Sequence, residues 1–170
     1  LSALGAAVVT FNFLYTEQRR RIPDRAPALE ACYQAIIHAV RERVAGKSGA
    51  LFIGGKSMGG RIATQVAAAD PQLAVDGLVL LGYPLHPPGK PDQLRDKHLP
   101  QVGRPMLFVQ GSRDAFGTPA ELEPIVGRLA PPAVLKVIAG GDHSFKVPGR
   151  NTEVQSDVYA GIQRQIVAWM

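Results

Sequence analysis

The pentapeptide Gly55-Lys56-Ser57-Met58-Gly59 has the form G-x-S-x-G and stands between a short apolar run and an alanine-rich stretch. In that context it reads as a tight strand-to-helix turn that holds the Ser57 hydroxyl up and exposed, its glycines allowing strand and helix to approach closely. The backbone N–H of Met58, at the start of the helix, then faces an oxyanion that develops beside Ser57. A serine hydroxyl is a weak nucleophile until a base takes its proton, and the base needs a carboxylate to orient it. Two later glycine-rich runs supply these groups. Gly111-Ser112-Arg113-Asp114 follows the apolar run Pro105–Gln110, and Gly140-Gly141-Asp142-His143 follows the apolar run Ala133–Ala139. Ser57, Asp114 and His143 thus each follow a different predicted strand, and parallel sheets bind ligands at the carboxyl ends of their strands. The chemistry expected is acyl transfer, with Ser57 as nucleophile, His143 as base and Asp114 as orienter. Plainer roles stand beside it: a glycine-rich turn without chemistry, Asp114 as a turn cap, His143 as a satisfied structural histidine.

Rival groups fit less well. The stretch ending Gly55-Lys56-Ser57 nearly matches a phosphate-binding loop, but Ala50 stands where the first glycine belongs and the residues between read as strand. His38 falls on a predicted helix, and His86 and His98 fall in a proline-rich loop. Asp142 adjoins His143 and reads as a loop brace. Cys32, the one cysteine, falls on an apolar helix face and reads as core. Four histidines without ligand spacing and a single cysteine predict no metal site and no cofactor. Lys56 and Arg61 flank the elbow and Tyr83 closes the next apolar run; these three are the expected substrate contacts, the two cations favouring an anionic group.

The elements that position these residues follow from periodicity. Apolar runs at Ala6–Phe13, Ala50–Gly54, Gly77–Tyr83, Pro105–Gln110 and Ala133–Ala139 predict strands. Helical spacing predicts helices over Pro27–Val44, Met58–Ala69 and Pro119–Leu129, and a C-terminal helix carrying Val154, Val158, Ile162, Ile166 and Trp169. Gly46–Gly49 is the expected stop of the first of these. Thr16–Ala26 reads as a loop, and Pro84–Arg104 as a long loop with one helical turn near Gln93–His98. Strands apolar throughout are buried on both faces, so the alternation predicts an α/β fold: a doubly wound, mostly parallel sheet with helices on both faces. No linker or repeat divides the chain, so one domain over residues 1–170 is expected.

The composition agrees. The chain has 170 residues, 46% hydrophobic and 19% charged, a globular balance that excludes a disordered chain. No apolar run approaches the roughly 18 residues of a membrane span. The net charge is +5, but the basic residues are spread along the chain and aromatics are few, so no nucleic-acid partner is expected. Arg19-Arg20-Arg21 reads as a solvated basic loop, with an anion-steering edge beside a pocket as the alternative. The expected partner is a small acyl substrate. The lack of a leader pattern and the single cysteine give a cytoplasmic expectation. Oligomeric state is not legible.

Taken together, these residues resemble the α/β-hydrolase fold. More narrowly, the chain is similar to the α/β-hydrolase-like family named for a histone-acetyltransferase-complex subunit and a testis-expressed protein, whose bacterial members are predicted hydrolases related to dienelactone hydrolase. The resemblance is carried by Thr10-Phe11-Asn12-Phe13-Leu14-Tyr15, Arg20–Pro27, Gly54-Gly55-Lys56-Ser57-Met58-Gly59-Gly60-Arg61, Gly82-Tyr83-Pro84-Leu85, Gln110–Asp114 and Gly141–Phe145. It implies the chain order Ser, Asp, His, with Ser57, Asp114 and His143 in the roles above. It also implies a second oxyanion donor and a central strand upstream of Leu1, so an N-terminally incomplete domain is expected. The family's founding members sit in assemblies, which makes a non-catalytic interaction module the alternative.

Overall fold

Short runs of Leu, Val, Ile and Phe without polar alternation cannot leave either face in water, and here they form a parallel sheet covered by helices. The computed structural model describes residues 1–44, 49–149 and 152–170. In chain order its elements are α1 (Leu14–Glu17), α2 (Ala26–Arg43), β1 (Phe52–Lys56), α3 (Met58–Ala69), β2 (Gly77–Leu81), β3 (Met106–Gly111), α4 (Pro119–Val126), β4 (Val134–Ile138) and α5 (Thr152–Trp169). The four strands pair in the order β1-β2-β3-β4, all parallel. The sheet and its helices agree with the α/β expectation.

Side-chain alternation sorts the core into two layers. Leu78 and Leu80 of β2 and Phe108 of β3 pack with Tyr33 of α2, Ile62 and Val66 of α3 and Leu122 of α4. Leu107 and Val109 turn to the other face and meet Ile162 and Ile166 of α5. β3 is buried along its whole length, so the loop that leaves it rises from the best-covered part of the sheet.

Four expectations need correction. Residues 6–13 form no strand. A β-branched run becomes a strand only beside a partner with free hydrogen-bonding groups, and Val8 and Val9 instead lie 45% and 64% exposed. Phe11 and Phe13 anchor this segment by ring contacts to Tyr33 at 5.1 and 6.4 Å. Grooves of about 390 and 360 Å³ remain between it and β1. Second, α1 interrupts the start of the expected loop over Thr16–Ala26. Third, the helical turn of the proline-rich loop is a 3-10 turn at Leu99–Gln101 rather than at Gln93–His98, because Pro100 fits a first turn. Fourth, α4 ends at Val126, with Gly127 as its cap residue, short of Leu129. The expected stop at Gly46–Gly49 falls mostly on residues 45–48, outside the described ones.

At the edge of the sheet the Tyr33 hydroxyl donates to the Gly54 carbonyl and accepts from the Gly54 N–H. Burial pushes this phenol up from 10.0 to about 12, although the Gly54 hydrogen bond works the other way. The Arg41 guanidinium donates to the Ala74 carbonyl and ties α2 to the loop before β2.

Candidate active site

Ser57 sits between β1 and α3 with φ 53° and ψ −120°. A non-glycine residue held there stores strain of about 1–3 kcal/mol, and the surroundings must impose it. Two main-chain bonds do so: Ser57 N–H donates to Leu81 O at 2.8 Å, and Arg61 N–H donates to Ser57 O at 3.1 Å. Close packing of strand on helix depends on Gly55 and Gly60. A Cβ on Gly60 would lie 2.7 Å from Gly55 O, whereas one on Gly59 would meet nothing. The motif's second glycine is therefore not the one that permits the approach; its neighbour is. Met58 is the first residue of α3, so its N–H lies outside the helix's own ladder.

The three groups read from the sequence meet. Ser57 Oγ lies 2.9 Å from His143 Nε2. His143 Nδ1 lies 2.8 Å from Asp114 Oδ2. Asp114 is 1% exposed and accepts two further bonds, from Gln110 Nε2 to Oδ2 at 2.8 Å and from the Phe116 N–H to Oδ1 at 2.9 Å. The imidazole is held on two sides. The Phe116 ring packs on it with centroids 4.3 Å apart and planes at 31°. Opposite, Gly82 adopts φ +60°, and a Cβ there would come within 3.3 Å of His143 Nδ1. An L side chain at Gly82 would be strained and would press on the ring.

The acid and histidine loops are stitched together. Ser112 N–H donates to Ile138 O at 3.0 Å and Arg113 N–H to Gly141 O at 2.9 Å. The Gly140 N–H donates to Ser112 Oγ at 2.8 Å. Asp142 braces its own turn, its Oδ1 accepting from the Ser144 and Lys146 N–H groups. The Lys146 N–H above all, then that of Ser144, holds the Asp142 carboxyl below the usual aspartate range against the opposing effect of desolvation.

The remaining expected residues are placed as follows. Lys56 reaches across the elbow, and its Nζ donates to Ser144 Oγ at 2.8 Å, next to His143. Arg61 is half-buried beside Tyr83, Arg95 and His98. Burial, and then the Arg61 charge, pushes the His98 imidazole below its ordinary value; His98 Nε2 lies 2.8 Å from Thr64 Oγ1. Tyr83 is a correction. Its side chain is fully buried, its hydroxyl donates to Arg95 O at 2.6 Å, and burial pushes its phenol well above the ordinary value. A ring enclosed in this way supports the floor of the site and does not touch a substrate. His86 is buried with Nε2 3.2 Å from Glu121 Oε1. His38 stays exposed beside Glu42, and Cys32 is partly buried. Among the described residues no group of three His, Cys, Asp or Glu is placed to hold a metal.

Sequence reading missed Gly60, Gly82, Gln110 and Phe116. Gln110 had a signal: it is the one polar side chain in the run Pro105–Gln110. Phe116 had none, since its place over His143 depends on how the two loops fold together.

Comparison with known proteins follows from this geometry. Residues 1–170 match the family model described as alpha/beta hydrolase domain. A serine hydrolase homologue from Coxiella burnetii superposes with a TM-score of 0.60 at 20% identity, over 84% of this chain and 62% of that one. The monoacylglycerol lipase of Paleococcus ferrophilus gives 0.61 at 14%, over 85% and 74%. Dienelactone hydrolase from Anabaena variabilis gives 0.57 at 23%, over 84% and 62%. At these identities the likeness is one of fold. The chain spans less than two thirds of the length of the first and third of these proteins.

Proposed function

The chain belongs to the alpha/beta hydrolase domain family, and from that premise we propose that it is a serine hydrolase that cleaves an ester, thioester or similar acyl compound. The observation that carries this reading is the unbroken relay from Ser57 Oγ through His143 to Asp114, with both links under 3 Å. Neighbours named as a serine hydrolase homologue, a lipase and a dienelactone hydrolase support acyl chemistry. No helix among the described residues is long and apolar enough to cross a membrane.

His143 Nε2 takes the Ser57 hydroxyl proton as Oγ attacks the carbonyl carbon, and the Asp114 carboxylate stabilises the imidazolium that forms. The Met58 N–H holds the oxyanion, a contribution worth about 2.7–4 kcal/mol per donor in serine hydrolases. His143 then gives its proton to the leaving alcohol or thiol, which departs as the carbonyl re-forms and leaves Ser57 acylated. Water, deprotonated by His143, attacks the acyl-enzyme; the acid leaves and the proton returns to Ser57. Lys56 and Arg61 bring positive charge to the rim, which supports a substrate with an anionic group.

Labelling with a fluorophosphonate probe tests this. The wild-type chain should label at Ser57, Ser57→Ala should not label, and Asp114→Asn should slow labelling by about 10³-fold or more. A chain folded by circular dichroism that never labels would leave the interaction-module reading.

A further inference from the structure

Gln110, one residue before the end of β3, has a fully buried carboxamide. Its Oε1 accepts from the Tyr83 N–H at 2.8 Å. Its Nε2 donates to Asp114 Oδ2 and to Gly117 O, both at 2.8 Å, with Tyr83 O at 3.4 Å. A buried main-chain N–H must meet an acceptor, so Tyr83 fixes which end of the amide faces β2. The nitrogen is thereby aimed at the acid loop. An apolar side chain would fill this space without the desolvation penalty of a buried amide. What an apolar side chain cannot do is donate to Asp114.

That carboxylate has few alternatives. A charge cut off from water persists only where donors replace its hydration. The His143 ring and Gln110 converge on the same oxygen, Oδ2, and the Phe116 N–H takes the other. We propose that Gln110 is a positioning residue of this site: it fixes the Asp114 oxygen that orients His143 and keeps that carboxylate charged while His143 carries the Ser57 proton. The catalytic consequence rests on the serine-hydrolase reading; the geometry does not. The titratable groups packed on this side are Asp114 from the loop after β3 and, beyond it, His143 from the loop after β4. The turn after β2 brings only the Tyr83 main chain to the amide, its phenol pointing away to Arg95 O.

Gln110→Glu is the deciding variant. It keeps the size and the acceptor for Tyr83 N–H, but sets a second acid against Asp114. While protonated, the new carboxyl still donates one bond to Oδ2; once ionised, it adds negative charge that favours the imidazolium. The pH at which fluorophosphonate labelling reaches half its plateau should therefore rise by about one unit. Gln110→Met removes the donor outright and should slow labelling at neutral pH by about tenfold, the loss of one charge-assisted bond. In proton NMR, the far-downfield Nδ1 proton of His143 should move in Gln110→Glu. That resonance needs no turnover. If wild type never labels, the hydrolase reading fails, and the resonance still decides the role of Gln110. If Gln110→Met does not fold, the isosteric Gln110→Glu carries the test. A folded Gln110→Glu with the wild-type resonance and pH midpoint overturns the proposal.

Discussion

Leu107, Phe108 and Val109 on β3 are wholly buried, whereas Val8 and Val9, which run alongside β1, are 45% and 64% exposed. Both segments are short and apolar. The difference lies in what surrounds them. β3 has a hydrogen-bonded strand on each side and helices over both faces; the N-terminal segment has ring contacts to Tyr33 and grooves beside it. The candidate site straddles this divide. Asp114 rises from the enclosed β3, while Ser57 and His143 leave the two edge strands, β1 and β4, and Ser57 is tied inward by its bond to Leu81.

The largest contrast should come from truncation. Phe108→Ala should cost about 3–5 kcal/mol in denaturant unfolding, as for other fully enclosed aromatics. Val9→Ala should stay within about 0.5 kcal/mol. Equal losses would mean that the two regions share one packing standard.

A sharper contrast lies between two adjacent residues. Gly60→Ala drives a Cβ into the Gly55 carbonyl and should destabilise by about 1–3 kcal/mol. Gly59→Ala places its methyl in open space and should stabilise α3 by up to about 1 kcal/mol through helix propensity. Thermal melts of the pair check the order.

The smallest effect concerns the edge itself. Tyr33→Phe removes the hydroxyl that serves both polar groups of Gly54 and should cost about 1 kcal/mol. Tyr33 is held protonated from pH 10.0 to about 12. Raising a phenol's folded value favours the folded state below the unfolded value, and that advantage fades as pH climbs to the folded one. Wild type should therefore lose more stability than Tyr33→Phe across that window in alkaline denaturation.

Ser57, Asp114 and His143 were legible as a cluster because each is announced locally, by glycines that border an apolar run. The strands of the sheet were legible because buried parallel strands lack polar alternation. Residues 6–13 misled because β-branched composition states a preference, and only a partner strand can satisfy it. Tyr83 misled for a similar reason: its place at the end of a run is local, while its enclosure by Arg95 and Thr64 is set by how the following loop and α3 pack around it. Gly60 and Gln110 act through contacts 5 and 4 residues away, short in sequence but decided by how strand, helix and loop turn.

Ser57 and His143 are 86 residues apart, and His143 and Asp114 are 29 apart. Each link closes only after a strand has crossed into the sheet. Loops of that length make such contacts slow to form, so the Ser57–His143–Asp114 cluster is among the last features to appear as the chain folds. The lone tryptophan, Trp169, packs on Phe52 of β1 with ring centroids 5.7 Å apart. Its emission times the arrival of the C-terminal helix on β1, and any lag between that signal and closure of the Ser57–His143 contact is the time the three loops take to find one another.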